Sequence, residues 1–229
     1  MFSAESQVMF YSGIQLSMEI LEEIANTIAS LKRKDGRVLV AICGAADLGK
    51  TFLSMQLVFN LKQKGIEANH LTLDSYLMKR TDRINREISG YQAGSHDLPM
   101  VKNDLKRFKK GQSIEYYPYE HSIGKKAASK DVIPPCPILI VDGLHSMNEQ
   151  LTPYLDFSIF ICTGDDQLKQ IRHQADITKR HQTIEFSKAH ADSEFEKYKQ
   201  FVEPYKRQAN VILFLKEKWN YILHRGAKS

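Results

Sequence analysis

Apolar residues recur at helical spacing in Met18, Leu21, Ile24, Ala25, Ile28 and Leu31, which predicts an amphipathic helix near the N-terminus. Lys32 to Lys34 place positive charge where a helix C-terminus favours it, and Asp35-Gly36 turns the chain. The pattern then changes. Val38 to Cys43 is a short, unbroken apolar run between a turn and a glycine, the mark of a strand buried on both faces. Helical spacing returns in Phe52, Leu53, Leu57, Val58 and Leu61, with Gly65 just past the end. Ala68 to Leu73 reads as a second strand running into Asp74. Asp97 caps a helix that has Pro99 in its first turn and ends near Lys110-Gly111. Residues 113–135, rich in Tyr, Lys and Pro, read as a hairpin or extended insertion. Ile138 to Val141, Phe157 to Cys162 and Val211 to Leu215 are three further strands. Between the last two lie a charged helix, from about Gln167 to Arg180, and a longer one reaching Pro204.

Strands alternating with helices imply right-handed crossovers and an α/β fold: a mostly parallel five-stranded sheet with helices on both faces. Such sheets bind ligands at the carboxyl ends of their strands. Asp74, Asp142 and the glycine-bounded segment after Cys43 all fall at those ends.

Bulk properties narrow the function classes. The 229 residues fit one α/β domain, or one domain with a lid. A net charge of +5, with dispersed basic residues, suits an enzyme handling phosphates and argues against nucleic acid as a partner. No apolar run approaches the roughly eighteen residues of a membrane span, and the N-terminus lacks a basic, apolar leader pattern. Cys43, Cys136 and Cys162 form no C-x-x-C pair and read as free thiols in a reducing compartment, so the expected location is the cytoplasm. The eight histidines show neither H-E-x-x-H nor zinc-site spacing, and no serine sits in G-x-S-x-G. Trp219 and Tyr221 read as packing residues or as a homo-oligomer contact.

The chemistry concentrates in Gly44-Ala45-Ala46-Asp47-Leu48-Gly49-Lys50-Thr51, which matches G-x-x-x-x-G-K-[ST] between a strand and a helix. A chain this long contains that pattern by chance on the order of once in a hundred. Its glycines let backbone N–H groups wrap phosphates at a helix N-terminus, Lys50 supplies a charge to the β- and γ-phosphates, and Thr51 a hydroxyl for Mg²⁺. The segment defines a P-loop NTPase. Asp47 puts a carboxylate into an anion-binding loop, and Leu48 puts bulk where small residues are common. Asp142 ends an apolar strand and reads as a second Mg²⁺ ligand, or as a cap before Gly143. Asp74 reads as a base for a hydroxyl acceptor, a metal ligand, or a strand-end cap. No N-K-x-D follows the fourth strand, which argues against guanine specificity.

The order of these parts resembles the uridine kinase and phosphoribulokinase family of P-loop kinases. The likeness runs from about Val38 to Leu213. It rests on the phosphate loop, Leu73-Asp74-Ser75-Tyr76, Tyr91 to Asp97, Pro118-Tyr119-Glu120-His121, Ile140-Val141-Asp142-Gly143 and Phe201-Val202-Glu203-Pro204-Tyr205-Lys206-Arg207. The resemblance implies transfer of the γ-phosphoryl group of ATP, with Mg²⁺, to a hydroxyl of a small metabolite. It implies Asp74 as the catalytic base, Tyr119 as a wall of the acceptor pocket, and Arg172 and Arg180 as lid arginines reaching over the phosphates. The domain plan is then an N-terminal helix (1–36) packed on a kinase domain (37–229), with the insertion at about 113–135 and a lid at about 167–184. Two positions depart from uridine kinases. Tyr91 stands where they carry a ribose-binding aspartate, and Gly124 where they carry a base-contacting histidine. His121 to Lys126 is closer to the phosphoribulokinase version, in which Lys125 or Lys126 meets a substrate phosphate. The acceptor is accordingly a nucleoside such as uridine, or a sugar or sugar phosphate. The alternative is a nucleotide-binding regulatory protein of the same fold without kinase activity.

Overall fold

The apolar runs pair into one six-stranded sheet in the computed structural model, which describes residues 18–31, 36–216 and 220–225. Strand β1 is Val38–Gly44, β2 Ala68–Thr72, β7 Ile138–Asp142, β8 Phe157–Cys162, β9 Val211–Leu215 and β10 Tyr221–Arg225. Their order is β10-β9-β8-β1-β7-β2. The first five named are mutually parallel, as the crossovers require, while β10 runs antiparallel to β9. This sixth strand escaped the pattern of the sequence. Among the described residues it lies at an edge with β9 as its strand neighbour, and Lys216 N–H donates to the Asn220 carbonyl (2.7 Å) beside the first pair of that ladder.

Each face of the sheet carries its own apolar layer. On one face Val40, Ile42, Ile138 and Ile140 pack with Leu21, Ile24, Ala25 and Ile28 of α1 (Met18–Ser30) and with Leu53, Leu57 and Leu61 of α2 (Lys50–Gln63). On the other, Leu39, Leu71, Leu139 and Val141 meet Leu98, Val101, Leu105 and Phe108 of α4 (Leu98–Lys109). This double covering is why β1 is apolar throughout. At about 1.5–3 kcal/mol for each large side chain fully buried, these layers are what hold the strand ends in fixed register. Asp97 caps α4 as expected, its carboxylate accepting from Met100 N–H at 3.0 Å. A short helix α3 (Arg80–Asn85) precedes it.

The insertion is a nested pair of antiparallel ladders. In it β3 (Ile114–Tyr116) pairs with β6 (Asp131–Ile133), and β4 (Tyr119–Glu120) with β5 (Lys125–Lys126). The charged helix α5 (Asp165–Thr178) packs on α6 (Ile184–Phe201). Register aligns Ile42 of β1 and Thr72 of β2 with Asp142 of β7, so three strand ends open onto one site. Trp219 and the charged run Lys32 to Asp35 lie outside the described residues. No helix among the described residues is long and apolar enough to cross a membrane.

Candidate active site

The phosphate loop follows β1 through Gly44, whose φ of 139° no other residue adopts readily; a Cβ there would stand 2.1 Å from the Ile161 carbonyl oxygen. Leu48, which the sequence puts at the phosphates, instead turns wholly into the core. Its carbonyl accepts the Tyr221 hydroxyl at 2.9 Å, so β10 fastens the loop from behind and Tyr221 is a packing residue. Gly49 (φ 78°) caps α2, and Lys50 Nζ spans the loop to the Ala45 carbonyl at 2.7 Å. Ala45 is buried and Ala46 half-buried, leaving the backbone between Gly44 and Thr51 at the N-terminus of a fourteen-residue helix.

Thr51 Oγ1 donates to Asp142 Oδ2 at 2.5 Å. The other Asp142 oxygen accepts from His70 Nε2 at 3.0 Å. His70 comes from β2, two residues before the position paired with Asp142, and nothing in its local pattern singles it out. Among the described residues no group of three or more His, Cys, Asp or Glu is arranged to hold a metal without other ligands. Two hard oxygen donors do suit Mg²⁺, which takes one or two protein oxygens and completes its shell with phosphate and water.

Asp74 is the second residue of a 3-10 turn, Leu73–Tyr76, capped by Thr72. Its Oδ2 accepts from His121 Nε2 at 3.0 Å, which joins the β2 end to the insertion. Burial alone would raise this carboxyl, but the bond and charge of His121, with the nearby His96 and Lys50, hold it below the usual carboxylate range. The Tyr119 ring stands edge-on to His121 at 5.1 Å, and its hydroxyl accepts from Arg83 at 3.3 Å. The Arg80 guanidinium donates to the His121 carbonyl, and Arg80 N–H to the Gly124 carbonyl at 2.8 Å. Gly124 has φ 70°, and a Cβ there would lie 2.8 Å from Arg80 Cβ. The position is closed to any side chain.

Directly after Asp74 the chain lines a cavity of about 500 Å³. Tyr76, Lys79, Asp82, His96, Lys125 and Lys126 are among its walls. Behind it lies a buried polar cluster absent from the sequence reading. His96 Nδ1 shares a hydrogen bond with Ser95 Oγ (2.8 Å), His145 Nδ1 one with the Tyr205 hydroxyl (3.3 Å), and the two imidazoles meet edge-on at 5.2 Å. Burial, with Arg83 adding to it and Asp74 opposing, lowers His96 to about 4; burial and His96 lower His145 to about 3. Both are neutral at pH 7.

Tyr91 is brought to α6 instead of the cavity wall, its ring edge-on to Tyr198 at 6.4 Å, and burial pushes its hydroxyl up to about 12. Arg172 and Arg180 both reach the phosphate loop, through Asp47. Arg180 lies 2.9 Å from Asp47 Oδ2, Arg172 3.9 Å from the same oxygen, and Lys179 3.5 Å from Oδ1. Helical spacing also puts both arginines 3.1 Å from Asp176 Oδ1. Burial would raise Asp47, yet Arg180, Lys179 and Arg172 hold it below the ordinary range. Cys43, Cys136 and Cys162 are all buried and free.

Fold and loop together define a P-loop phosphotransferase. The description of the "Phosphoribulokinase / Uridine kinase family" matches residues 39–217, and the chain belongs to that family. It is therefore an ATP-dependent kinase with an alcohol group as acceptor. It is 30% identical over 181 residues to a uridine kinase of Leuconostoc citreum, covering 77% of this chain and 86% of that one. It is 26% identical over 145 residues to a chloroplastic phosphoribulokinase of Triticum aestivum, covering 62% of this chain and 36%, about a third, of that relative's length. The fold matches D-glycerate 3-kinase from Cryptococcus neoformans with a TM-score of 0.70 at 14% identity, covering 91% of this chain and 100% of that one.

Proposed function

We propose that the chain transfers the γ-phosphoryl group of ATP to the hydroxyl of a small anionic metabolite, with a phosphorylated sugar as the favoured class. The observation that carries the acceptor side is the cavity following Asp74, where Lys79, Lys125 and Lys126 bring three cations against the carboxylates of Asp82 and Asp97. Asp97 is already engaged in capping α4. A nucleoside gives such a wall nothing to neutralise, whereas a phosphate does. Two further observations weigh against uridine. Gly124 leaves no room for a base-contacting side chain, and Tyr91 is packed on Tyr198.

Backbone N–H groups of Gly44 to Thr51, the α2 N-terminus and Lys50 hold the polyphosphate. Thr51 and Asp142 would hold Mg²⁺, which would supply charge neutralisation for the phosphates. Asp74 is ionised at physiological pH, orients the acceptor hydroxyl and accepts its proton, while His121 fixes the carboxylate. A base of low pKa suffices because the transition state is loose and positioning contributes most of the rate. Arg172 and Arg180 stabilise charge on the transferred group. Tyr119 walls the acceptor side beside His121. Three buried free thiols support a reducing compartment such as the cytoplasm.

The test is turnover with ATP·Mg²⁺ across matched pairs of neutral and phosphorylated sugars and nucleosides. Phosphorylated acceptors are expected to be turned over preferentially, with Lys125→Met and Lys126→Met raising their KM by about tenfold each. Preference for the neutral member of each pair would overturn the anionic acceptor. Tight ATP binding with no acceptor turned over would favour a regulatory role.

A further inference from the structure

A P-loop gathers donors for anions, and this one carries a carboxylate at its centre. Asp47 adopts φ 64°, a left-handed conformation that aspartate tolerates better than most residues. Its side chain is 8% exposed and faces α5, against three cations: Arg180, Lys179 and Arg172. Two acids serve those cations in different ways. Asp176 belongs to α5 with Arg172, bridges it and Arg180 just past the helix end at i,i+4 spacing, and is itself held by Ser187 Oγ at 3.1 Å. Asp47 comes from the phosphate loop, across the gap between loop and helix.

We propose that Asp47 is a positioning residue that stands in for phosphate. It holds Arg172, Lys179 and Arg180 at the mouth of the loop while no polyphosphate is bound, and releases them to the polyphosphate when one arrives. This rests on the reading of Gly44 to Thr51 as a polyphosphate site. A guanidinium binds the oxygens of a multiply charged phosphate more strongly than those of one carboxylate, so the exchange runs toward nucleotide. The released carboxylate is left buried beside an anion without its cations, an unfavourable environment. Every binding event therefore includes the breaking of the Asp47 contacts, and the apparent affinity is lowered to that extent. In return, Arg172 of α5 and the two cations just past its end stay compensated and in place before nucleotide binds.

Asp47→Asn preserves shape and backbone preference while removing the charge; Asp47→Gly suits the same φ and removes the side chain. Binding of ATP·Mg²⁺, and of inorganic tripolyphosphate as a base-free probe, is measured by calorimetry, and amide exchange over residues 165–182 without ligand. Both variants are expected to bind both probes about tenfold more tightly, and to lower KM for ATP without raising kcat. In the free chain their amides over 165–182 exchange faster than wild type. Adding Arg180→Gln shrinks the gain from Asp47→Asn, since the two act through one contact. Unchanged or weaker binding in both variants overturns the proposal while leaving the loop reading intact. Wild-type chain that binds neither probe removes the loop reading, and the exchange with it.

Discussion

At the scale of single residues, the site turns on which partner each carboxylate has been given. Asp142 has Thr51 and His70, Asp74 has His121, and Asp47 has Arg172, Lys179 and Arg180. Asp74→Asn is expected to lower kcat by about a thousandfold, the usual worth of a positioned base, with ATP affinity unchanged. Single-turnover kinetics beside nucleotide titration would check both halves. The folded-state pKa of Asp74 lies below its unfolded value, so its carboxylate persists through the ordinary acid range and is lost only as pH falls through that depressed value. The acid limb of kcat/KM is accordingly expected at no higher than about pH 4, the unperturbed carboxylate value. His121→Ala removes the bond that lowers Asp74 and should move that limb upward. Lys50, Thr51, Asp74 and Asp142 were legible because the motif and the strand ends announce them. His70, His96, His145 and Lys179 were not, because each takes its meaning from a partner far away in the chain.

At the scale of elements, Asp156 shows how a loop residue holds three pieces together. Its Oδ2 accepts from Leu39 N–H of β1 at 2.7 Å and from Lys109 of α4 at 2.6 Å, just before β8 begins. Lys109 is 18% exposed there. Asp156→Ala takes the carboxylate from the Leu39 amide and from Lys109, whose ammonium keeps the Arg37 carbonyl at 3.0 Å, and is expected to cost about 1–3 kcal/mol, the range for leaving a buried donor unsatisfied. Urea denaturation would measure it, and Asp156→Asn should recover part of the loss by keeping the amide's acceptor. Strands β1, β7, β8 and β9 could be read from unbroken apolar runs, whereas the more polar edge strand β2 was legible as the segment running into Asp74. Edge strand β10 could not be read, and within 114–133 the sequence offered a hairpin or extended insertion without its two ladders, since short, half-exposed segments owe their pairing to neighbours and not to their own pattern.

For the whole molecule, the two neutral imidazoles His96 and His145 make stability depend on acidity. His96 and His145 titrate at about 4 and about 3 when folded, against roughly 6.5 when unfolded. Below pH 6.5 the unfolded chain therefore binds more protons than the folded one, and stability falls as pH drops toward 4. Thermal melts between pH 7 and pH 4.5 should show a falling Tm, with a shallower slope in His145→Asn. The global fold also shows what surrounds Tyr91 and Gly124, the two departures from uridine kinases, which family position alone could not. Their surroundings, Tyr198 of α6 and Arg80 at the start of α3, come from segments that a motif comparison never aligns with them.

The bond from the Tyr221 hydroxyl to the Leu48 carbonyl joins residues 173 positions apart. A polypeptide made from its N-terminus thus completes the glycine-rich motif well before the brace behind it. Nascent chains stalled before Tyr221 would carry every residue of the motif and still hold ATP poorly. Full nucleotide affinity would then appear only after Tyr221 has left the ribosome and docked against the loop.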